Sequence, residues 1–368
     1  MRILYVITGL GGGGAEKVVC DLADEMCSRG HIVKIAYLKG EIVVFPKNKE
    51  IELVYLGLES ILNALSFFRN YRDLIISFTP DVVHSHMVHA NIFTRISRKF
   101  YSIPKLICTA HSSNEGSKFR MLAYNFTHNL ADLTTNVSLE ASRNFEIRKG
   151  VPKGGIRTIY NGIDLSKFIK SPLNKDKIKN NLGIENGIPI FIAVGRFHEA
   201  KDYPNLINAF RIFKTKIIHN SQDNNLPILL IVGDGELKSE VELLIESFNL
   251  KDNIKLLGRR NDIPDLLNIA DYFILSSKYE GLPTVIMEAM ACETFVISTN
   301  CSGVEEIMND TGIMVPICDS EALAEGLIKA YNLSPKEIEL NNLSARRRIE
   351  KIFSLEKSIE TWLEIYES

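Results

Sequence analysis

Short apolar runs alternate with amphipathic helical stretches along almost the whole chain. The runs are rich in Val, Ile and Leu, which is typical of strands covered on both faces of a parallel sheet. In the first half the pattern predicts strands at Ile3–Thr8, Ile32–Leu38, Ile51–Leu56, Asp81–His86, Lys105–His111, Asp132–Ser138 and Arg157–Tyr160. In the second half it predicts strands at Pro189–Gly195, Ile228–Gly233, Ile254–Gly258, Tyr272–Ser276 and Phe295–Ser298. The pattern therefore predicts an α/β protein.

A polar, turn-rich stretch, Ser166–Gly187, separates the two halves and is predicted to connect two domains. A second polar stretch, Asn220–Asn225, is predicted to be a surface loop. Each half has the strand–helix rhythm of a Rossmann-like, doubly wound domain. Because such domains bind ligands at the carboxyl ends of their strands, we expect the two to face each other across a ligand-binding cleft.

Composition narrows the class of protein without identifying it. The chain has 368 residues, 45% of them hydrophobic and 24% charged, with a formal charge of −2. These values fit a soluble globular protein and give no overall field for nucleic acid. Six cysteines lie singly, without metal-ligand spacing, and are expected to be reduced. The start, MRILYVIT, does not match a signal peptide, and no run reaches the roughly 18 apolar residues of a membrane span, so we expect a cytoplasmic protein.

The first strand is followed by a glycine-rich turn, Thr8–Glu16, which contains Gly9 and Gly11–Gly14. Such a turn lets backbone N–H groups approach a phosphate or a sugar at the N-terminus of the next helix, predicted at Ala15–Arg29. It also matches the fingerprint of nicotinamide dehydrogenases. The second strand, however, ends at Lys39 without the acidic residue that binds the ribose of NAD. NADP binding, and a turn kept glycine-rich only for tight packing, remain alternatives.

The segment Ser276–Ala291 carries two carboxylates between two apolar strands. Pro283 suits the first turn of a helix, which places Glu280 in the preceding loop and Glu288 about a turn and a half into the helix. Glu288 is the only charge on an apolar helix, and an isolated buried carboxylate is costly unless it is hydrogen-bonded. A ligand rich in hydroxyl groups would satisfy it. The alternative is a carboxylate paired within the core.

Two cations follow the first strand of the second half. Arg196 ends that strand and Lys201 lies five residues later, so both are expected to converge on one anion at the strand end. With the N-terminus of the Pro283 helix they would stabilise a departing diphosphate. The alternative is a pair of solvated loop charges.

The chain resembles glycosyltransferase family 4, whose members have the two-domain GT-B fold and retain anomeric configuration. The resemblance covers nearly the whole chain. It rests on the Gly9–Glu16 loop, His111 in Thr109-Ala110-His111, Asn161–Asp164, Gly195-Arg196 with Lys201, Gly233–Gly235, Gly258-Arg259 and the segment from Glu280 to Glu288. It implies an acceptor-binding domain at residues 1–170 and a nucleotide-sugar domain at 188–350. The C-terminal helix, about 353–368, is expected to pack back on the first domain.

The resemblance also implies roles for individual residues. The catalytic set is His111, Arg196, Lys201 and Glu280: His111 and Glu280 would contact the donor sugar, and Arg196 and Lys201 would hold the diphosphate. Glu288 would accept hydrogen bonds from the nucleotide ribose. The remaining donor-binding residues are Gly12, Gly13, Gly233, Arg259, Gly281, Leu282, Pro283 and Thr284. The acceptor-side residues are Gly14, Glu16 and His86, with His84 as a further candidate and His89 at the start of the next helix. No cofactor and no metal are expected.

The function expected from this resemblance is retaining transfer of a hexose or an N-acetylhexosamine from a nucleotide-diphosphate sugar, with UDP ahead of GDP. The acceptor would be a glycan or a polyprenyl-diphosphate-linked sugar of O-antigen, lipopolysaccharide or capsule synthesis. Alternatives are a non-hydrolysing UDP-sugar epimerase and a non-catalytic nucleotide-sugar-binding protein. Two segments mix basic and apolar residues and are candidates for peripheral contact with the cytoplasmic face of the inner membrane. These are Asn91–Lys105, with Arg95, Arg98, Lys99, Phe100 and Tyr101, and Lys118–Tyr124, with Lys118, Phe119, Arg120, Met121 and Leu122. Ordinary amphipathic surface helices would give the same pattern.

Overall fold

The computed structural model describes residues 1–112, 116–171, 175–220 and 226–368, without the side chains of 61, 219 and 220. The predicted surface loop Asn220–Asn225 therefore lies, beyond Asn220, outside the described residues. The chain divides into two compact units, Met1–Gly162 with Glu356–Ser368 and Ile163–Leu355. The polar stretch Ser166–Gly187 consequently belongs to the second unit.

The first unit is a parallel sheet with helices on both faces. Its strands are β1 (Arg2–Ile7), β2 (Ile32–Tyr37), β3 (Glu52–Tyr55), β4 (Val82–His86), β5 (Lys105–Ala110), β6 (Leu133–Asn136) and β7 (Arg157–Thr158). The helices that follow them are α1 (Gly14–Ser28), α2 (Ala64–Phe78), α3 (Val88–Ser97), α4 (Lys118–Thr127) and α5 (Leu139–Ile147). The strand order, β3-β2-β1-β4-β5-β6-β7, reverses beside β1, as in doubly wound sheets.

The second unit repeats this plan. Its strands are β8 (Ile190–Val194), β9 (Ile228–Val232), β10 (Ile254–Gly258), β11 (Tyr272–Leu275), β12 (Phe295–Thr299) and β13 (Ile313–Val315), in the order β10-β9-β8-β11-β12-β13. Its helices are α6 (Lys175–Asn181), α7 (Tyr203–Asn220), α8 (Lys238–Ser247), α9 (Ile263–Ile269), α10 (Thr284–Ala291), α11 (Val304–Met308), α12 (Ser320–Tyr331) and α13 (Pro335–Ile352). Every described strand pair is parallel, so the strands of each unit end at one edge of its sheet.

The last helix, α14 (Leu355–Glu367), returns to the first unit and covers part of its sheet. The indole ring of Trp362 lies 4.5 Å from the imidazole ring of His84 on β4. The hydroxyl of Tyr366 lies 3.2 Å from that of Tyr5 on β1. Because these side chains of α14 contact buried residues of β1 and β4, α14 is part of the core of the first unit.

Candidate functional site

Three loops at the carboxyl ends of β8, β9 and β10 are joined by backbone hydrogen bonds. Phe197 N–H donates to Asp234 O at 3.1 Å, and Gly233 N–H donates to Gly258 O at 2.9 Å. A Cβ atom on Gly233 would lie 1.9 Å from Gly195 O, and its φ of 148° is one that L side chains rarely adopt. Glycine at 233 is therefore required for the β8 and β9 loops to touch.

Arg196 emerges from this junction with an exposed guanidinium group. Its Nη2 lies 3.1 Å from Glu236 Oε2, in the loop after β9. A hydrogen bond from its own backbone N–H, followed by the charges of Arg196 and His198, holds the pKa of Glu236 below its usual value. Glu236 belongs to none of the sequence motifs and was not predicted as a site residue. Arg259, after β10, is exposed as well.

Lys201 and Glu280 form an ion pair between neighbouring strand ends. Lys201 Nζ lies 2.7 Å from Glu280 Oε1, and their side chains are only 19% and 17% exposed. Ser277 Oγ donates to the same carboxylate oxygen at 2.7 Å, an interaction with no sequence motif to predict it. Arg196 and Lys201 were expected to converge on one anion. In the structure each contacts a different carboxylate.

The backbone around this pair is fixed by further hydrogen bonds. Ser276 Oγ donates to Lys201 O at 2.7 Å, and Lys278 N–H donates to Ala200 O at 2.8 Å. Burial, followed by the negative charge of Glu280, raises the pKa of Tyr203, whose hydroxyl donates to Gly195 O. Burial, followed by the same carboxylate, raises the pKa of Cys301 to about 12, so the thiol of Cys301 is protonated at neutral pH.

Glu288 is the fifth residue of α10 and is 4% exposed. Burial, followed by the negative charge of Glu288, raises the pKa of Cys292 to about 12. Pro283 was expected inside the first helical turn, but it immediately precedes α10, with ψ of 95°. The helix therefore begins at Thr284, and Glu288 lies just over one turn into it, less deep than the predicted turn and a half.

The loop after β12 packs against the start of the Glu280–Glu288 segment. Gly303 has a φ of 81°, and a Cβ atom there would lie 2.5 Å from Gly281 O. Gly281, Leu282 and Pro283 are buried, whereas Thr284 is partly exposed. These predicted donor-binding residues therefore share one tightly packed turn beside Glu280.

The glycine-rich loop of the first unit leads into α1, which starts at Gly14, one residue before the predicted start. Gly12 has a φ of 101°, and Gly13 precedes the helix in an extended conformation. A Cβ atom on Gly13 would lie 2.6 Å from Glu16 Oε2. The carboxylate of Glu16 thus lies over the helix N-terminus, where a phosphate would otherwise be favoured.

His86 and His111 are in contact at the ends of β4 and β5. His86 Nδ1 lies 2.9 Å from His111 Nε2. Burial holds the pKa of His86 well below its usual value, with the neighbouring histidines adding to the effect, and lowers the pKa of His111 to about 4. Both imidazoles are neutral at pH 7. His86, predicted on the acceptor side, is almost completely buried.

His84 and His89 have different surroundings. His84 is completely buried, with Nδ1 2.6 Å from the Tyr366 hydroxyl and Nε2 2.7 Å from Thr109 Oγ1. It is a core residue and does not line a surface. His89, the second residue of α3, is exposed.

The structure corrects the prediction for Arg95 in the first of the two segments proposed for membrane contact. Arg95 on α3 is completely buried, with Nη2 2.6 Å from Thr134 Oγ1 and its guanidinium group 4.9 Å from the Tyr124 ring centre. Arg98 donates to the carbonyls of Ile103, Leu130 and Pro104. Arg95 cannot face a membrane, because it is buried inside the first unit. Arg98 is partly exposed and also pairs with Asp132, and Lys99 and Phe100 are exposed.

The second segment lies on α4 and has an exposed apolar face. Phe119, Leu122 and Phe126 are 82%, 51% and 78% exposed, beside the exposed cations Lys118 and Arg120. Met121 and Tyr124 are buried on the opposite face. Among the described residues, no helix is long and apolar enough to cross a membrane.

Comparison with known proteins agrees with this architecture. Residues 12–167 match the family model described as Glycosyltransferase Family 4, and residues 174–348 match that described as Glycosyl transferases group 1. The chain is 28% identical over 298 residues to the UDP-Gal:alpha-D-GlcNAc-diphosphoundecaprenol alpha-1,3-galactosyltransferase of Escherichia coli, covering 78% of this chain and 75% of the relative. It is 25% identical over 350 residues to the N-acetylgalactosamine-N,N'-diacetylbacillosaminyl-diphospho-undecaprenol 4-alpha-N-acetylgalactosaminyltransferase of Campylobacter jejuni, covering 87% of each chain.

Solved structures give the same fold. A glycosyltransferase from Rickettsia africae has a TM-score of 0.84 at 21% identity, covering 100% of this chain and 98% of that one. HepE from Anabaena, in complex with UDP and glucose, has a TM-score of 0.82 at 20% identity, covering 100% and 99%. The GT-B fold predicted from the sequence is confirmed.

Proposed function

The chain belongs to glycosyltransferase family 4, and from that premise we propose that it transfers a hexose or an N-acetylhexosamine from a UDP-sugar with retention of configuration. The acceptor in this proposal is a hydroxyl of a polyprenyl-diphosphate-linked glycan. The names of the two relatives specify lipid-diphosphate acceptors and α-linked products, and one specifies UDP-Gal. These names support the proposal for this chain.

The observation that carries the proposal is the Lys201–Glu280 pair, held in place by Ser277. A mostly buried ammonium group and carboxylate at adjacent strand ends form a preorganised polar site. Such a site can hold a sugar hydroxyl through the carboxylate and a phosphate oxygen through the ammonium group. Arg196, exposed at the same edge of the sheet, would supply the second positive charge for the diphosphate.

In the proposed reaction the acceptor hydroxyl attacks the anomeric carbon from the face that the nucleotide leaves. The bond between the anomeric carbon and the diphosphate oxygen breaks, and a bond to the acceptor oxygen forms. The acceptor proton passes to the departing diphosphate. Arg196, Lys201 and the N-terminus of α10 would stabilise the charge that develops there, so that the step needs neither a metal nor a pair of glycosidase-type carboxylates.

We also propose that α4 rests on the membrane surface that holds the acceptor. Phe119, Leu122 and Phe126 project from one face of α4, and no acidic residue occurs between Lys118 and Thr127. Arg148 adds a cation beside this helix, because its Nη2 donates to Gly116 O at 2.8 Å. Exposed aromatic residues flanked by cations suit the interface of an anionic bilayer.

A thermal-shift panel of nucleotide sugars tests the donor assignment. A donor at 100 times its dissociation constant should stabilise the protein by about 2.7 kcal/mol. We expect one UDP-sugar to raise the melting temperature, and Glu288→Ala to remove the increase. Glu325→Ala, an exposed glutamate on α12, is the matched control and should keep it. If no nucleotide sugar stabilises the chain, or if Glu288→Ala responds like the wild type, the proposed donor site is wrong.

A further inference from the structure

The contact between His86 and His111 determines where the imidazole protons lie. His86 ends β4 and His111 directly follows β5, and these two strands are neighbours in the sheet. Their facing nitrogens, Nδ1 of His86 and Nε2 of His111, are 2.9 Å apart. A hydrogen bond of that length between two neutral imidazoles contains one proton, so one ring is the donor and the other the acceptor.

The surroundings of His86 indicate which ring donates. His86 Nε2 is buried and has no hydrogen-bond partner among the described residues. If His111 donated, the single proton of neutral His86 would lie on Nε2 as a buried N–H group without an acceptor. An unsatisfied buried donor costs about 1 to 3 kcal/mol. If His86 donates through Nδ1, Nε2 carries only a lone pair, and orphaned buried N–H groups are avoided.

His84 packs against the ring of His86 and limits its movement. The rings of His84 and His86 are 4.0 Å apart, and His84 is hydrogen-bonded at both nitrogens, to Tyr366 on α14 and to Thr109 on β5. Because His84 is held at both ends, it limits the rotation of the His86 ring that packs against it. The orientation of His86 is therefore set by the core and does not depend on a ligand.

We propose that His86 is a positioning residue that donates from Nδ1 to Nε2 of His111 and thereby keeps the proton of His111 on Nδ1. The lone pair of His111 Nε2 is then occupied, so this nitrogen cannot serve as a general base. His111 can act instead as a hydrogen-bond donor through Nδ1, toward an oxygen of the donor sugar. This last step rests on the proposed function, in which His111 contacts the sugar.

The proton position can be measured without any activity. Full-length protein labelled with ¹⁵N-histidine gives long-range ¹H–¹⁵N spectra that distinguish the two imidazole tautomers of each histidine. We expect His111 to be the Nδ1–H tautomer in the wild type. His86→Asn, whose side-chain amide can donate in place of Nδ1–H, should keep that tautomer, and His86→Phe should lose it. His89→Asn, which changes an exposed histidine on α3, is the control and should keep it.

The kinetic consequence separates positioning from general structural damage. In His86→Phe we expect kcat to fall about tenfold or more with the donor KM unchanged, and in His86→Asn we expect most of the activity to return. An Nε2–H tautomer at His111 in the wild type, or an unchanged tautomer or kcat in His86→Phe, overturns the proposal. If the wild type transfers no sugar, the proposed function fails, and the spectra still decide whether His86 controls the proton.

Discussion

Lys201 and Glu280 are the residues on which the proposed chemistry depends most, and their ion pair allows a matched test. Lys201→Met removes a fixed cation from the diphosphate site and the ion-pair partner of the mostly buried Glu280. We expect kcat/KM to fall about 100-fold or more, the usual effect of removing one charge-stabilising group. Initial rates with a UDP-sugar and a lipid-linked acceptor measure this.

Lys278→Met is the control for that experiment. Lys278 lies in the loop after β11 that also carries Glu280, but its Nζ is 3.8 Å from Asp202 Oδ1, and a partly exposed pair of this length contributes little. Its rate should stay within about threefold of the wild type. Equal losses of kcat/KM in the two variants would show that Lys201 contributes only to the net positive charge of the region and not through its specific position.

The buried histidines predict how the stability of the first unit depends on pH. The folded-state pKa values of His84, His86 and His111 lie below the unfolded value of about 6.5, that of His111 at about 4. Below about pH 6.5 the unfolded chain therefore binds more protons than the folded chain, and stability is lost as pH falls toward 4. Each histidine contributes up to about 1.4 kcal/mol per pH unit in this window.

Trp362 is the only tryptophan of the chain and lies against His84, so its fluorescence reports on the first unit. Urea midpoints followed by this fluorescence should fall steeply between about pH 6.5 and pH 5. Replacing His86 by Asn should reduce the proton uptake on unfolding by about one, so that stability depends less steeply on pH. Replacing the exposed His89 by Asn should leave this pH dependence almost unchanged. A flat profile for the wild type would contradict the burial of neutral histidines.

At the scale of single residues, sequence patterns predict only part of the candidate site. Arg196, Lys201 and Glu280 could be named because they belong to motifs at strand ends, and Glu288 because it is the only charge on an apolar helix. Glu236, Ser277 and Tyr366 could not, since their contacts join segments that are distant along the chain or have no recognisable pattern. Arg95 was misassigned for a related reason: a basic residue on an amphipathic helix is usually solvated, and only the Tyr124 and Thr134 contacts reveal a buried one.

Helix α4 is the element with the clearest exposed apolar face, and it carries the membrane prediction. Replacing Phe119 and Phe126 by Ser should remove most binding to anionic liposomes in a flotation assay, because the inserting side chains are lost. Replacing Lys118 and Arg120 by Gln should weaken binding by about 1 kcal/mol per charge and reduce its sensitivity to salt.

The control for α4 removes two exposed apolar residues from the second unit. Leu243 on α8 and Leu340 on α13 are both exposed, and their double Ser variant should float like the wild type. Equal binding by the control and by the Phe119/Phe126 variant would mean that α4 does not dock on lipid.

Most elements could be predicted because a strand buried on both faces needs a continuous apolar run. Each of the twelve predicted strands corresponds to an observed strand within two residues at each end. β13 was missed because Ile313–Val315 is too short for a periodic signal. Helix starts were less certain: Pro283 is compatible with the position before a helix as well as with its first turn.

At the scale of the whole molecule the proposed reaction is tested by its product. With an α-linked UDP-sugar of gluco or galacto configuration and a lipid-linked acceptor we expect an α-linked product, identified in NMR by a small three-bond coupling between H1 and H2 of the transferred sugar. We also expect the initial rate to be unchanged by excess EDTA, since Arg196 and Lys201 would take the role of a metal at the diphosphate. A β-linked product, or activity lost in EDTA and restored by Mg²⁺ or Mn²⁺, would contradict this mechanism.

The return of α14 to the first unit affects the order in which the nascent chain can fold. The whole of Ile163–Leu355 is synthesised before Trp362 and Tyr366 are made. Until then His84 lacks its tyrosine partner, and the faces of β1 and β4 that α14 covers stay open to the surroundings. We therefore expect the first unit to be the first to begin folding during synthesis and the last to finish, with its exposed sheet a binding site for chaperones in the interval.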